Sequence, residues 1–211
     1  MANIDKLVAT LSADARPVRP APHPYTLWVL GLGAGVTYLA LMLVFSGLRP
    51  DIMTKLHASW FVVEIVTLVL VFASTSLSTA LLAYPDLHQM RRTAYAPAYA
   101  LGTFVLVMLL SWQADSPLTL LPEHGYQCTL EIILFALPPA VWTLYALRKL
   151  ASTHYHLAGS IALLSAFSIG ALWLRLHEAE DSVTHLMQWH YLPMLACGLF
   201  GLWIGRLILK W

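Results

Sequence analysis

"YTLWVLGLGAGVTYLALMLVFSGL", residues 25–48, runs for twenty-four positions without an Asp, Glu, Lys, Arg or His. A helix needs about 20 apolar residues to cross the ~30 Å hydrocarbon core of a bilayer, and this stretch supplies them. It does not alternate with period two, so it reads as a helix and not as a barrel strand. Comparable runs follow at 61–84, 94–112, 127–148, 157–176 and 190–209. The composition agrees: 59% of the 211 residues are hydrophobic and 11% are charged, where soluble domains carry about 25% charge. The expected fold is all-α, a six-transmembrane-helix bundle with short loops and both termini cytoplasmic. Residues 1–24 form a cytoplasmic N-terminal amphipathic segment and linker; residues 25–211 form the transmembrane domain.

The orientation comes from lysine and arginine, which favour the cytoplasmic side. Lys6, Arg16, Arg19, Arg91, Arg92, Arg148, Lys149, Arg206 and Lys210 fall on one side, nine of the twelve basic residues. Arg49, Lys55 and Arg175 fall on the other, together with Asp51, Asp115, Glu123, Glu178, Glu180 and Asp181. The N-terminus does not read as a cleavable signal, because about 24 polar, proline-containing residues precede the first apolar run. The near-neutral total, +1, gives no sign of direct nucleic-acid binding.

The ionisable chemistry gathers at the outer end. "LHEAEDSVTHLMQWH", 176–190, holds His177, Glu178, Glu180, Asp181, His185 and His190 in a connector of fifteen residues. "PEHGYQCTLE" adds His124, Cys128 and Glu131, which share a face if the helix starts early enough. Glu64 and Arg175 stand about one turn inside their runs from the same side. Charges in such positions usually face the bundle interior and pair with one another. Cys128, His124, His177, His185 and His190 have the right types for a metal ion at this face but no tight ligand spacing. On an α-helix, His185 and His190 would point about 140° apart at ~100° per residue. No cofactor is expected beyond that possible ion. All nine histidines lie in connectors or at helix ends, so no mid-membrane haem pair exists. No nucleophile–base pair, phosphate loop or zinc-protease motif appears, and no enzyme is expected.

Three further features concern packing. Gly31 and Gly35 in "GLGAG" have the small-xxx-small spacing that permits close helix approach. "ASTSLSTA" supplies hydroxyls for the helix's own backbone or a neighbour. Pro138 and Pro139 each remove a backbone donor and predict a kink in the fourth span. At the N-terminus, Ile4, Leu7, Val8 and Leu11 follow i, i+3, i+4, i+7 spacing, with Asn3 as cap. The prolines after Arg16 and Arg19 end that helix. The short helix can lie on lipid, dock on the loops or enter a partner's groove.

With these pieces in order, the chain resembles the NrsF-type membrane anti-sigma factors, negative regulators of extracytoplasmic-function (ECF) sigma factors. The resemblance rests on "LVATLSADARPVRP" (7–20), "RPD" (49–51), "FVVEIV" (61–66), "GYQC" (125–128), "LPP" (137–139), "LHEAEDS" (176–182) and "WH" (189–190). It implies a stress-response regulator of the inner membrane that captures a sigma factor through Ile4, Leu7, Val8, Leu11, Arg16 and Arg19. It implies a sensing site at the periplasmic face, here Cys128, Glu178, His177, His190, Glu64, Glu131 and Arg175. The chain departs from the family where the pattern reads "LHCPEDS": Glu178 stands in place of a second cysteine and Ala179 in place of proline. The rival reading is a small-ligand or metal-ion membrane transporter that uses the outer cluster as an entry site.

Overall fold

The computed structural model describes residues 2–13, 21–85, 90–114, 125–150 and 152–210. Among these the secondary structure is helical throughout. A short α1 (Ala2–Ala13) precedes α2 (Pro24–Ser46), α3 (Ile52–Lys55), α4 (Ser59–Leu82), α5 (Arg91–Ala94) and α6 (Ala96–Ala114). Then come α7 (Tyr126–Arg148), α8 (Tyr155–His177), α9 (Val183–His185), a π-helical turn (Leu186–Tyr191) and α10 (Leu192–Ile208). Among the described residues, six helical stretches are long and apolar enough to span a membrane, at Pro24–Ser46, Ser59–Leu82, Arg92–Gln113, Tyr126–Arg148, Tyr155–His177 and Val183–Ile208.

The last span begins seven residues earlier than the apolar run suggests. Ser182 explains it: its hydroxyl accepts from the His185 backbone N–H at 3.4 Å and caps the new helix. The fifteen-residue connector of the sequence reading therefore shrinks to residues 178–182.

The centre of the bundle is α8, buried along most of its length and packed by α10, α4, α7 and α2. A helix apolar on every side suits that position. Its contact with α10 depends on missing side chains: a Cβ on Gly205 would lie 2.1 Å from the Tyr155 carbonyl, and one on Gly159 2.4 Å from the Gly201 carbonyl. Such close approach is how helices gain packing energy where lipid removes the hydrophobic driving force. On α2, Gly35 plays the expected part, with Phe72 2.5 Å from where its Cβ would be, whereas Gly31 has ordinary room. The outer faces of α2, α7 and α10 expose Val44, Phe45, Trp142 and Leu199, the apolar surface that a lipid environment covers.

Helix α7 runs through Pro138 and Pro139 without a break. Pro139 has no N–H for the Phe135 carbonyl, and the Tyr38 hydroxyl of α2 donates to that carbonyl at 2.9 Å. The Thr129 hydroxyl of α7 donates to the Trp189 carbonyl in the π-helical turn at 2.8 Å. The hydroxyls of α4 follow both expected routes. Thr67, Thr75 and Thr79 donate to carbonyls of their own helix. Ser78 reaches the Ala94 carbonyl of α5 at 2.7 Å.

Candidate functional site

One end of the bundle collects the segments "RPD", "FVVEIV", "GYQC", "LHEAEDS" and "WH". They form two adjoining clusters, one of ion pairs and one built on a thiol and two imidazoles.

The first centres on two arginines. Arg175, near the end of α8, donates to both oxygens of Glu64 on α4, at 2.9 and 3.1 Å, and to Asp181 at 3.2 Å. Arg49, after α2, donates to both oxygens of Asp51, at 2.7 and 2.9 Å, and reaches Asp181 at 3.0 Å. Lys55 adds a third cation to Asp181 at 2.6 Å. Both guanidiniums lie over the Phe61 ring, 4.8 Å for Arg175 and 5.4 Å for Arg49, an arrangement that the ring's negative face favours. Tyr191 closes the floor by donating to Glu64. Two-pronged guanidinium–carboxylate contacts set distance and angle together, so α2, α4, α8 and the 178–182 connector are held in register. Burial raises the Asp181 carboxyl, but hydrogen bonds from Arg49 and Lys55 and the charges of Arg175 and Arg49 outweigh it, leaving a pKa of about 2. The hydrogen bond to Arg49 holds Asp51 below its ordinary value as well.

The second cluster joins α7 to the connector. The Cys128 thiol, in the first turn of α7, is buried and lies 3.6 Å from Glu178 Oε1 and 3.4 Å from His185 Nε2. His190 is fully buried, its Nε2 3.5 Å from Glu178 Oε2 and its ring 5.4 Å from that of His185. Buried polar atoms are hydrogen-bonded as a rule, yet among the described residues both His190 nitrogens and Glu178 Oε2 lack hydrogen-bond partners of good geometry. His190 keeps the Glu178 carboxyl below its ordinary pKa against the opposing effect of burial. Gly125 is needed just before Cys128, because a Cβ there would lie 2.1 Å from the Trp189 ring.

This juxtaposition corrects the angular objection to a His185–His190 pair. The intervening residues form a π-helical turn, whose i→i+5 bonds bring residues five apart onto one face. Among the described residues, Cys128, Glu178, His185 and His190 are the group able to hold a metal ion, their ligand atoms within 4.8 Å of one another.

Other expected members stand elsewhere. His177 turns away: its ring stacks on Trp173 and its Nδ1 lies 2.8 Å from the Gly47 carbonyl, tying α8 to the end of α2. Glu131 is on the exposed side of α7, in none of the described ion pairs, so it does not join Glu64 and Arg175. His124 lies outside the described residues, and α7 begins at Tyr126, after it. Asp181, Arg49 and Lys55 were not expected as site residues. Their signal was a single short run of acids in one connector and cations in another, which spacing alone does not pair.

At the N-terminus, α1 begins at Ala2, so Asn3 is inside the helix and not its cap. Ile4, Leu7, Val8 and Leu11 form an apolar stripe, each 58–67% exposed. Arg16 and Arg19 lie outside the described residues.

A family model described as "Negative regulator of sigma F" matches residues 11–211. The chain is also similar to the anti-sigma-F factor NrsF of Caulobacter vibrioides, 33% identical over 215 aligned positions that cover 98% of this chain and 99% of that protein. No solved structure matches.

Proposed function

Because the chain belongs to the family of negative regulators of sigma F, we propose that the sigma factor it restrains is of the ECF class and is captured by the N-terminal segment. Membership itself makes the chain an anti-sigma factor with a sigma factor as its partner. The family is regulatory, and the six apolar helices are those of a multi-pass membrane protein.

The observation that carries the capture reading is the stripe Ile4, Leu7, Val8 and Leu11. Four aliphatic side chains share one face of α1 and stay exposed. An amphipathic helix with such a face suits a hydrophobic groove on a protein partner. Arg16 and Arg19 extend the segment with positive charge. The membrane is the bacterial inner membrane, with both termini cytoplasmic. This orientation rests on the nine basic residues gathered at one side and puts α1 where a sigma factor is found.

The polar end then faces the periplasm and receives the signal. Its members are Cys128, Glu178 and His190, with Glu64 and Arg175 on the neighbouring floor. A change at Cys128 acts on α7 and the connector together, since the thiol touches Glu178 and His185. The connector is fastened through Asp181 to Arg49 and Arg175. A signal that shifts the connector therefore strains α2 and α8. Helix α2 is the one that α1 and its linker precede.

The test is co-purification. A sigma factor should copurify with the solubilised full chain and be lost when residues 1–20 are deleted, with equal amounts of both proteins in the membrane. Retention by the truncated chain would refute capture through this segment.

A further inference from the structure

We propose that Cys128, Glu178, His185 and His190 form a binding site for one divalent transition-metal ion of the zinc class. The inference stands apart from sigma capture, because ion binding is a property of the purified chain.

Four observations carry it. The donor set is one thiol, one carboxylate and two imidazoles, a combination that zinc takes in tetrahedral sites. The donors come from three separate pieces of chain: Cys128 from α7, Glu178 from the end of α8, and His185 and His190 from the start of the last span. Tetrahedral bonds of ~2.0–2.3 Å put ligand atoms roughly 3.3–3.8 Å apart. Three separations, Cys128 Sγ–His185 Nε2, His190 Nε2–Glu178 Oε2 and Cys128 Sγ–Glu178 Oε1, are 3.4, 3.5 and 3.6 Å, with Glu178 offering a different oxygen to each neighbour, and the four ligand atoms all lie within 4.8 Å of one another. Finally, His190 is fully buried, and among the described residues its Nδ1 has no hydrogen-bond partner while its Nε2 faces Glu178 Oε2 at 3.5 Å without hydrogen-bond geometry. A cation between them would engage both.

The chemistry of the donors narrows the ion. Calcium and magnesium take oxygen ligands, so a site with one carboxylate and three N or S donors does not suit them. One thiolate among harder donors favours zinc over copper(I), which soft sulfur-rich sites select. Binding replaces the thiol proton with the metal, and that proton leaves to solvent. The ion would join α7 to the connector at the point where the π-turn begins.

The experiment uses the full chain in detergent, without a histidine tag, reduced and stripped by a chelator. It is titrated with cobalt(II) and then with zinc(II). We expect one cobalt per chain, with the absorption of a tetrahedral thiolate site, displaced by zinc. Cys128→Ser should abolish the sulfur-to-cobalt band, and His185→Ala or His190→Ala should weaken binding by roughly tenfold or more, comparable to or above the loss seen for ligand-orienting partners. His177→Ala, outside the cluster, should bind as the unaltered chain does. Zinc, and not magnesium, should also raise the unfolding temperature of the unaltered chain, a readout that needs no variant to fold. Absence of a saturable thiolate band together with no zinc-dependent shift would overturn the site. So would cobalt binding that is the same in Cys128→Ser and His190→Ala.

Discussion

Cys128 on α7 and Glu178 at the end of α8 meet at 3.6 Å across fifty residues of sequence. The resemblance of "LHEAEDS" to "LHCPEDS" implies a second cysteine at the place of Glu178, and the contact puts that place beside Cys128. Glu178→Cys should therefore form an intramolecular disulfide with Cys128 under mild oxidation. Loss of two free thiols, restored by reduction, is the measurement. Two thiols that stay reactive under the same conditions would show that the segments do not approach within disulfide reach.

The Glu64–Arg175 pair is buried, and its variants should separate pairing from mere polarity. Removing one partner of a buried pair leaves an uncompensated charge and costs about 3–5 kcal/mol. Arg175→Leu should lower stability by that order in a detergent unfolding assay. Glu64→Leu in the same chain should recover much of the loss, since two apolar residues leave no orphan on α4. A double variant no more stable than Arg175→Leu would contradict this.

Asp181 predicts the acid limb of stability. Its carboxyl titrates at about 2 in the folded chain and ordinarily at 3.8. A lowered folded value means that the stabilisation is complete above the ordinary pKa and disappears as pH falls through the folded one. Unfolding temperature should hold steady from neutral pH to about 4 and drop between about 4 and 2. Asp181→Asn should start lower at neutral pH and show a shallower drop. An unchanged acid limb in that variant would assign the titration to other carboxyls.

The glycine seam between α8 and α10 gives a packing prediction. A side chain on Gly205 would meet the Tyr155 carbonyl, which is backbone and cannot turn aside. Gly205→Leu should force the helices apart and reduce stability by an amount typical of overpacking, about 1–3 kcal/mol or more. Gly33→Leu is the control, because its Cβ would meet nothing within 4 Å. Equal stability of the two variants would remove the seam from the account.

The six spans were readable because a bilayer demands long apolar helices and the sequence has six such runs. The meeting of Cys128 with Glu178 was also readable, through the family pattern. The His185–His190 pair was not, because its geometry depends on a π-turn that no local residue preference announces. Nothing in the local sequence around Asp181 names its partners. Its partner Arg49 is 132 residues away, and only the packing of α2 against α8 brings them together. Spacing puts His177 and Glu131 near the site; in the structure His177 lies against the Gly47 carbonyl and Glu131 is on the exposed side of α7.

Orientation is tested by cysteine probes on exposed positions. Ser12 and Thr153 should be unreactive to a membrane-impermeant reagent in intact cells, and Ser182 should react once each is replaced singly by cysteine in a Cys128→Ser, Cys197→Ser background. Labelling at Ser12 without lysis would invert the topology and remove the cytoplasmic partner from α1.

The claim that the apolar stripe of α1 holds the sigma factor is tested most directly by replacing Leu7 and Leu11 together with Asp and measuring the sigma factor's affinity for the solubilised chain. Each aliphatic side chain buried at an interface is worth ~1.5–3 kcal/mol, so losing both should weaken binding by more than tenfold. Transcription from the sigma factor's promoters should rise while the variant reaches the membrane at normal levels. Unchanged affinity and unchanged transcription in that variant would contradict the account and leave α1 a lipid-surface helix.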